Sequence, residues 1–408
     1  MKNVQCLRCV RCGAEVEAAP DATVCSCGGM LDVVYDYDYI RSVSSRASLA
    51  ADPDRSMWHY RPFLPVEEGT AAPPLRVGNS PLYDVPRLAE RLGLRRLWLK
   101  DDGQNPTSSL KDRASSMAVA KAVEAGYTKI ACSSTGNAAS SLAGNAAAAG
   151  LETFIFVPER APIGKVAQLL IFGATVISVQ GNYEDAFTLS AAAIDEYGWY
   201  NRNAAINPYL MEGKKTVSLE IAEQLGWHVP DFVALSVGDG CTIAGVWKGF
   251  KDLYAAGFID RLPRLISAQA VNTCPINRAV ETGEPWSPME ENTLADSISV
   301  GVPRNADKAI AAIRESNGLT VQVTDDEILD AMRIVGRSCG VFGEPAGAAG
   351  SAGLIKLCAE GKIPPEAEVV TIVTGNGLKD TANGIRAAGE PLRLPPDMAL
   401  LRAALAKR

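Results

Sequence analysis

The chain is poor in histidine. It has two in 408 residues, His59 and His228, and neither has a cysteine or carboxylate cluster beside it in the sequence. A histidine-based catalytic triad and an H-E-x-x-H metal site are therefore not expected. Long apolar runs are missing too: none approaches the ~18 residues of a membrane span. The first residues, Met1-Lys2-Asn3-Val4-Gln5-Cys6, contain no apolar core of a secretion signal, so a cytoplasmic protein is expected. Positive charge is not in excess. Lysine and arginine number 40 against 47 acidic residues, a net charge of −7, and no basic stripe stands out. Neither nucleic acid nor membrane is an expected partner. Repeats and low-complexity segments are also absent. Chemistry here has to use a group other than histidine, and lysine is the leading candidate.

What remains is an ordinary globular composition, 47% hydrophobic and 21% charged, long enough for two or three cores. Ten cysteines fall into two groups. Cys6, Cys9, Cys12, Cys25 and Cys27 crowd the N-terminus, while Cys132, Cys241, Cys274, Cys339 and Cys358 are scattered. In a cytosolic chain such crowding points to metal rather than disulfides. Residues 1–34 read as a Cys-rich ribbon. Cys9, Cys12, Cys25 and Cys27 can supply four thiolates to a tetrahedral zinc. The second pair is C-x-C rather than C-x-x-C, and Cys6 offers another partner. A structural zinc and a remnant ribbon with free thiols both remain open.

Residues 35–75, polar and aromatic, read as an arm over the main body. From residue 95 onward apolar strands alternate with amphipathic helices. Strands are expected at 97–100, 129–133, 153–157, 175–179, 232–237, 265–270 and 369–373. Helices are expected at 114–124, 165–171, 183–197, 216–225 and 326–335. This alternation implies right-handed crossovers and parallel sheets. The units exceed one comfortable sheet. An α/β fold with two three-layer parallel-sheet domains is therefore expected over 76–390, the smaller at about 115–225. A short helix follows at 391–408.

Four stretches carry the chemistry. Asn105-Pro106-Thr107-Ser108-Ser109-Leu110-Lys111-Asp112-Arg113 ends a strand and opens a helix. That puts Lys111 in the first helical turn, where the helix dipole disfavours an ammonium and favours the neutral amine that attacks carbonyl carbon. By itself the triplet reads as solvated charge, and only the other motifs turn that reading. Ser133-Ser134-Thr135-Gly136-Asn137 joins a strand to an Ala-rich helix and could seat a carboxylate, or be a tight turn. Val237-Gly238-Asp239-Gly240-Cys241-Thr242 is Gly-rich at a helix start and could cradle a phosphate. It is neither a Walker A loop nor a dinucleotide fingerprint. Asp239 should point away from a dianion. Cys241 is either a packing residue or a thiol of lowered pKa. Thr374-Gly375-Asn376-Gly377-Leu378-Lys379-Asp380 places a hydroxyl at a strand's C-terminal end, where open α/β sheets bind ligands.

Together these supply a lysine for an aldehyde, a cup for a phosphate and a hydroxyl for a ring nitrogen, a set that fits pyridoxal phosphate. The chain resembles the fold-type II pyridoxal-phosphate enzymes, and within them the threonine synthase and threonine-synthase-like family. The matching motifs lie at 105–113, 134–139, 212–216, 344–346 and 374–380, in the family's order. The resemblance covers roughly residues 75–385, and the Cys-rich ribbon is similar to one that many members carry. It implies that Lys111 binds the cofactor, Asn137 its phenolic oxygen, Gly238, Asp239, Gly240, Cys241 and Thr242 its phosphate, and Thr374 its pyridine nitrogen. Ser134, Thr135 and Gly136 would take the substrate carboxylate. A homodimer is implied as well.

The departures bear on the substrate. Where the resemblance implies an arginine clamping the phosphate of O-phosphohomoserine, the chain has Leu210. Ala204 and Ala205 stand where polar side chains are usual, and Asp239 alters the cup. Lys165 or Lys214 could compensate as point charges, but leucine does not replace a bidentate arginine. The departures predict a pyridoxal-phosphate-dependent lyase of this family acting at the β or γ carbon of an amino acid other than O-phosphohomoserine. Threonine synthase proper is the alternative. A catalytically silent binding or regulatory protein is the reading from another class.

Overall fold

The computed structural model describes residues 1–159, 163–203 and 206–406. Strands β1 (Val4–Cys9), β2 (Glu15–Val16) and β3 (Leu31–Tyr35) form a small antiparallel sheet in the order β2-β1-β3. This is the N-terminal ribbon. The arm that follows is more structured than its polar composition indicates. Helices Tyr37–Val43 and Arg46–Ala51 and a 3-10 turn at Met57–Phe63 bind it to the body. Tyr35 Oη donates to Glu212 at 2.7 Å, Tyr37 Oη to Asp252 at 2.7 Å, and Trp58 Nε1 to Ser116 at 3.2 Å.

The body carries two sheets. Their strands are β4 (Leu82–Asp84), β5 (Arg96–Asp101), β6 (Lys129–Ser133), β7 (Glu152–Pro158), β8 (Thr175–Val179) and β9 (Tyr200–Asn201). The chain continues with β10 (Phe232–Ser236), β11 (Arg264–Ala270), β12 (Leu319–Val323) and β13 (Glu368–Val373). The larger sheet has the order β12-β11-β10-β13-β5-β4 and the smaller β8-β7-β6-β9. All pairings are parallel except the edge pair β4–β5. The sequence reading omitted β4, β9 and β12, all short strands at sheet edges. The central strand β13, Glu-Val-Val-Thr-Ile-Val, is buried throughout, as a strand covered on both faces must be. Among the described residues no helix is long and apolar enough to cross a membrane.

Helix boundaries follow local chemistry. Asn182 caps the Tyr183–Tyr197 helix in a capping box with Asp185, and Gly198 at φ +64° ends it. Thr324 and Glu327 do the same for Asp325–Cys339. The lysine helix, Lys111–Glu124, is longer than its apolar run alone indicates. Its Ala114, Ala118, Val119 and Ala122 pack into the small sheet's core with Ile130 and Leu142. Its first turn is stitched to the other sheet: Leu110 N–H donates to Thr374 O at 2.8 Å and Asn376 N–H to Ser108 O at 3.0 Å. One helix thus ties the two sheets together at the point where Lys111 emerges.

Candidate active site

Four strand ends converge. β5 leads to the lysine loop, β6 to the Ser134–Asn137 loop, β10 to the Gly238–Thr242 cup and β13 to Thr374. All are C-terminal ends of parallel strands, where backbone N–H groups and helix starts face a common crevice. β13 lies between β10 and β5, so Thr374 sits between cup and lysine. Lys111, Asn137, Gly238, Asp239, Gly240, Cys241, Thr242 and Thr374 line one chamber of about 100 Å³. Asn137, Ser297 and Glu344 also line an adjoining cleft of about 710 Å³, together with Thr135 and Gly136. Ser134 is not on either wall; its Oγ accepts from Gly136 N–H at 3.1 Å and shapes the turn. Lys165 is a helical position whose side chain lies outside the described residues, as do Ala204 and Ala205.

Lysine, aspartate and arginine of the first motif have three different tasks. Lys111 faces the chamber and has no hydrogen-bond partner among the described residues. Burial, and after it the Lys214 charge, pull its amine down to about 8. Asp112 is fully buried and locks the loop: it accepts from Thr107 N–H at 2.8 Å, Thr107 Oγ1 at 2.9 Å and Asn145 Nδ2 at 2.8 Å. Arg113, also fully buried, grips Asp102 (2.7 and 2.9 Å) and Glu220 (2.5 and 2.8 Å). Lys100 joins Glu220 at 2.7 Å, which completes a buried set of two cations and two anions. Burial opposes the Glu220 charge, but Arg113 and Lys100 outweigh it and hold the carboxyl at about 2.

The cup is the start of the helix Cys241–Ala255. Gly240 (φ +89°) occupies its N-cap, and no side chain caps it, so its first N–H groups are open to an anion. A Cβ at Gly240 would come within 2.8 Å of Asn305 O, so no other residue fits this turn. Asp239 does turn away: Oδ1 accepts from Arg304 N–H at 2.6 Å and Oδ2 from the Cys241 thiol at 3.4 Å. Burial pushes that thiol up, not down, so Cys241 is a neutral packing residue rather than a reactive one. Thr374 Oγ1 makes no hydrogen bond among the described residues and is available to a ligand.

Glu344 was not among the site residues picked out from the sequence, although its Glu-Pro-Ala run was noted. It is 4% exposed and accepts from Asn137 Nδ2 at 2.5 Å, leaving that amide's second hydrogen for a ligand. A glutamate at the start of the Pro345–Ala359 helix was the available signal. Ser297, from a 3-10 turn in an irregular loop, carried none. Gly375 is held to glycine by this pair, since a Cβ there would lie 2.1 Å from Glu344 Oε1. Gly375→Ala is expected to displace Glu344 and Asn137 at a cost of about 1–3 kcal/mol. Thermal melts should show the loss, and cofactor absorbance should fall with it; an unchanged melt would refute the packing argument.

The ribbon thiols also converge. Cys9, Cys12, Cys25 and Cys27 place their sulfurs within 4.8 Å of one another, with neighbours at 3.5, 3.6 and 3.7 Å. A tetrahedron with metal–sulfur bonds of about 2.3 Å requires sulfurs roughly 3.8 Å apart, so the set fits. Cys6 stands outside it. His59 lies between Asp52 and Glu223, and His228 against Glu368, neither of them on the chamber wall.

The donor set of the chamber is two amines, an uncapped helix start and a free hydroxyl, and it suits a group with an aldehyde, a phosphate and a ring nitrogen. A family profile described as "Pyridoxal-phosphate dependent enzyme" matches residues 74–375, and that is the class of protein. The threonine synthase of Methanocaldococcus jannaschii is 39% identical over 400 residues, 97% of this chain and 98% of that protein. The threonine synthase of Methanosarcina acetivorans is 41% identical over 403 residues, 98% of each. The structure of Escherichia coli diaminopropionate ammonia lyase shares the fold, with a TM-score of 0.67 at 19% identity, over 83% of this chain and 93% of that one. This chain belongs to the threonine synthase family of fold-type II pyridoxal-phosphate enzymes.

These relatives overturn the expectation of an amino-acid substrate other than O-phosphohomoserine. The structure shows why the departures weighed too heavily. Leu210 is buried in the small sheet's apolar cluster, but Lys214, four residues on, lines the chamber. The altered residue of the cup, Asp239, spends its carboxylate on a backbone N–H and a thiol. A missing guanidinium therefore does not leave the site without a cation.

Proposed function

We propose that this protein is a threonine synthase, converting O-phosphohomoserine and water into threonine and phosphate. The observation that carries the reading is likeness over the whole chain, ribbon included, to proteins of that name. Bound pyridoxal phosphate would supply the electron sink that makes an amino acid's α-hydrogen removable. Lys111 would hold the cofactor's aldehyde carbon and then move the α-proton at Nζ, a task suited to an amine at about 8. The Gly238–Thr242 backbone would hold the phosphate at the helix start. Asn137 and Thr374 would orient the ring, Asn137 at its phenolic oxygen and Thr374 at its nitrogen. Thr135, Gly136 and the open start of the Asn137–Ala148 helix would receive the substrate carboxylate, with Ser134 bracing their turn.

The test is direct. Purified protein with pyridoxal phosphate should release phosphate from O-phosphohomoserine and form threonine in equal amount. Turnover of serine, threonine or a diamino acid, with none of O-phosphohomoserine, would sink the reading.

The four ribbon thiols are proposed to hold a structural zinc. Metal analysis should give one zinc per chain, and Cys25→Ser should lose it. Chelation should lower the melting temperature while leaving the cofactor's absorbance in the folded protein. A protein prepared with zinc present yet metal-free and equally stable would count against the site.

A further inference from the structure

The chamber holds a second amine. Lys214 ends the short helix Tyr209–Lys214, is 3% exposed, and shares the wall with Lys111. It has no hydrogen-bond or ion-pair partner among the described residues. A buried amine that faces no anion is costly to charge, and an anion arriving beside it removes that cost. Its position narrows the choice. A Cβ on Gly245 would lie 3.3 Å from Lys214 Cβ, so the lysine is rooted against the N-terminal part of the cup helix. Its charge acts on Lys111, Asp239 and Cys241, which places the ammonium toward the cup. Asp239 is engaged by Arg304 N–H and the Cys241 thiol and forms no ion pair with it. The uncapped helix start at Gly240 points positive potential at the same space.

We propose that Lys214 is the counter-charge for a phosphate monoester bound in this chamber, so that one amine serves the phosphate and the other, Lys111, the reacting carbon. The proposal rests on the function proposed above, which brings two phosphate monoesters to the site: the cofactor's and the substrate's. Both present the same dianion to an ammonium beside a helix start.

The comparison is of each phosphate ligand with its phosphate-free counterpart, in full-length wild type, K214M and the charge-conserving K214R. Equilibrium dialysis gives dissociation constants for pyridoxal phosphate and pyridoxal. Binding and steady-state kinetics give the same contrast for O-phosphohomoserine and homoserine. K214M is expected to weaken one phosphate ligand about ten- to hundredfold and its counterpart little, with K214R within a few-fold of wild type. A loss confined to pyridoxal phosphate assigns Lys214 to the cofactor, and a loss confined to O-phosphohomoserine assigns it to the substrate. Equal weakening of ligand and counterpart in both pairs, or no weakening, overturns the proposal. Melting curves monitor folding, and K214Q replaces K214M if the latter fails to fold. A wild type that ignores O-phosphohomoserine defeats the proposed function, yet the pyridoxal phosphate comparison still decides Lys214.

Discussion

Lys111→Ala is expected to remove turnover by at least about a thousandfold and leave the fold standing. The two halves of that expectation have one cause. Lys111 reaches into the chamber without a partner among the described residues, so truncation strands no donor or acceptor. Its amine is already disfavoured as a cation, being held at about 8 by burial and the nearby Lys214 charge. Removing it relieves the folded state of a charge it accommodates poorly, so the melting temperature should hold or rise, most fully below about 8 and by less as the pH climbs from there toward the ordinary lysine value. Wild-type protein stripped of cofactor should show the companion effect. Only the neutral amine attacks an aldehyde, so cofactor capture should slow about tenfold per pH unit below about 8 and level off above it. Lys214, Cys241, Arg202 and Glu344 are the charged or titratable groups acting on that amine. Stopped-flow absorbance across pH would measure it. A flat profile would remove the lowered amine from the argument, and appreciable turnover by Lys111→Ala would remove Lys111 from the chemistry.

Arg113→Met is expected to cost about 3–5 kcal/mol, because it strips the main partner from two buried carboxylates. Asp102 would keep Ser80, and Glu220 would keep Lys100 and two backbone N–H groups. The set would then carry one net negative charge away from water. The damage should reach the site as well, since Arg113 lies two residues beyond Lys111 and bridges the lysine helix to Glu220 on the Thr216–Gln224 helix. Denaturant melts should record the loss, and Arg113→Lys should recover only part of it, since an ammonium cannot make both bidentate contacts. A melt within about 1 kcal/mol of wild type would show that the remaining cation suffices.

Much of this protein was legible before any coordinates. Parallel strands read as short apolar runs, so β6 and β8 coincide with the expected 129–133 and 175–179, and β10 and β13 differ by a residue. The edge strand β12 escaped because its alternation, Leu-Thr-Val-Gln-Val, is that of a half-covered strand. The arm escaped because its aromatic residues hydrogen-bond to acids more than 150 residues away, a relation no local pattern records. The substrate inference failed for a related reason. Lys214 was weighed only as a possible substitute for the arginine missing at position 210, whereas the fold brings it onto the chamber wall.

The sequence by itself determined the α/β alternation, the family, the lysine, the Gly-rich cup and the strand-end threonine. Those features are local: hydrophobic period, turn chemistry and the residues that a helix start requires. Only the tertiary structure decided which charges are solvated and which are buried. It turned Asp112 and Arg113 inward while leaving Lys111 on the chamber wall, and aimed Asp239 at backbone N–H. It also brought Glu344 to Asn137 across 207 positions and left Lys214 beside the cup with no partner among the described residues. Burial and pairing depend on what the rest of the chain places around a side chain, and those neighbours come from strands and helices that meet only when the two sheets close on one crevice.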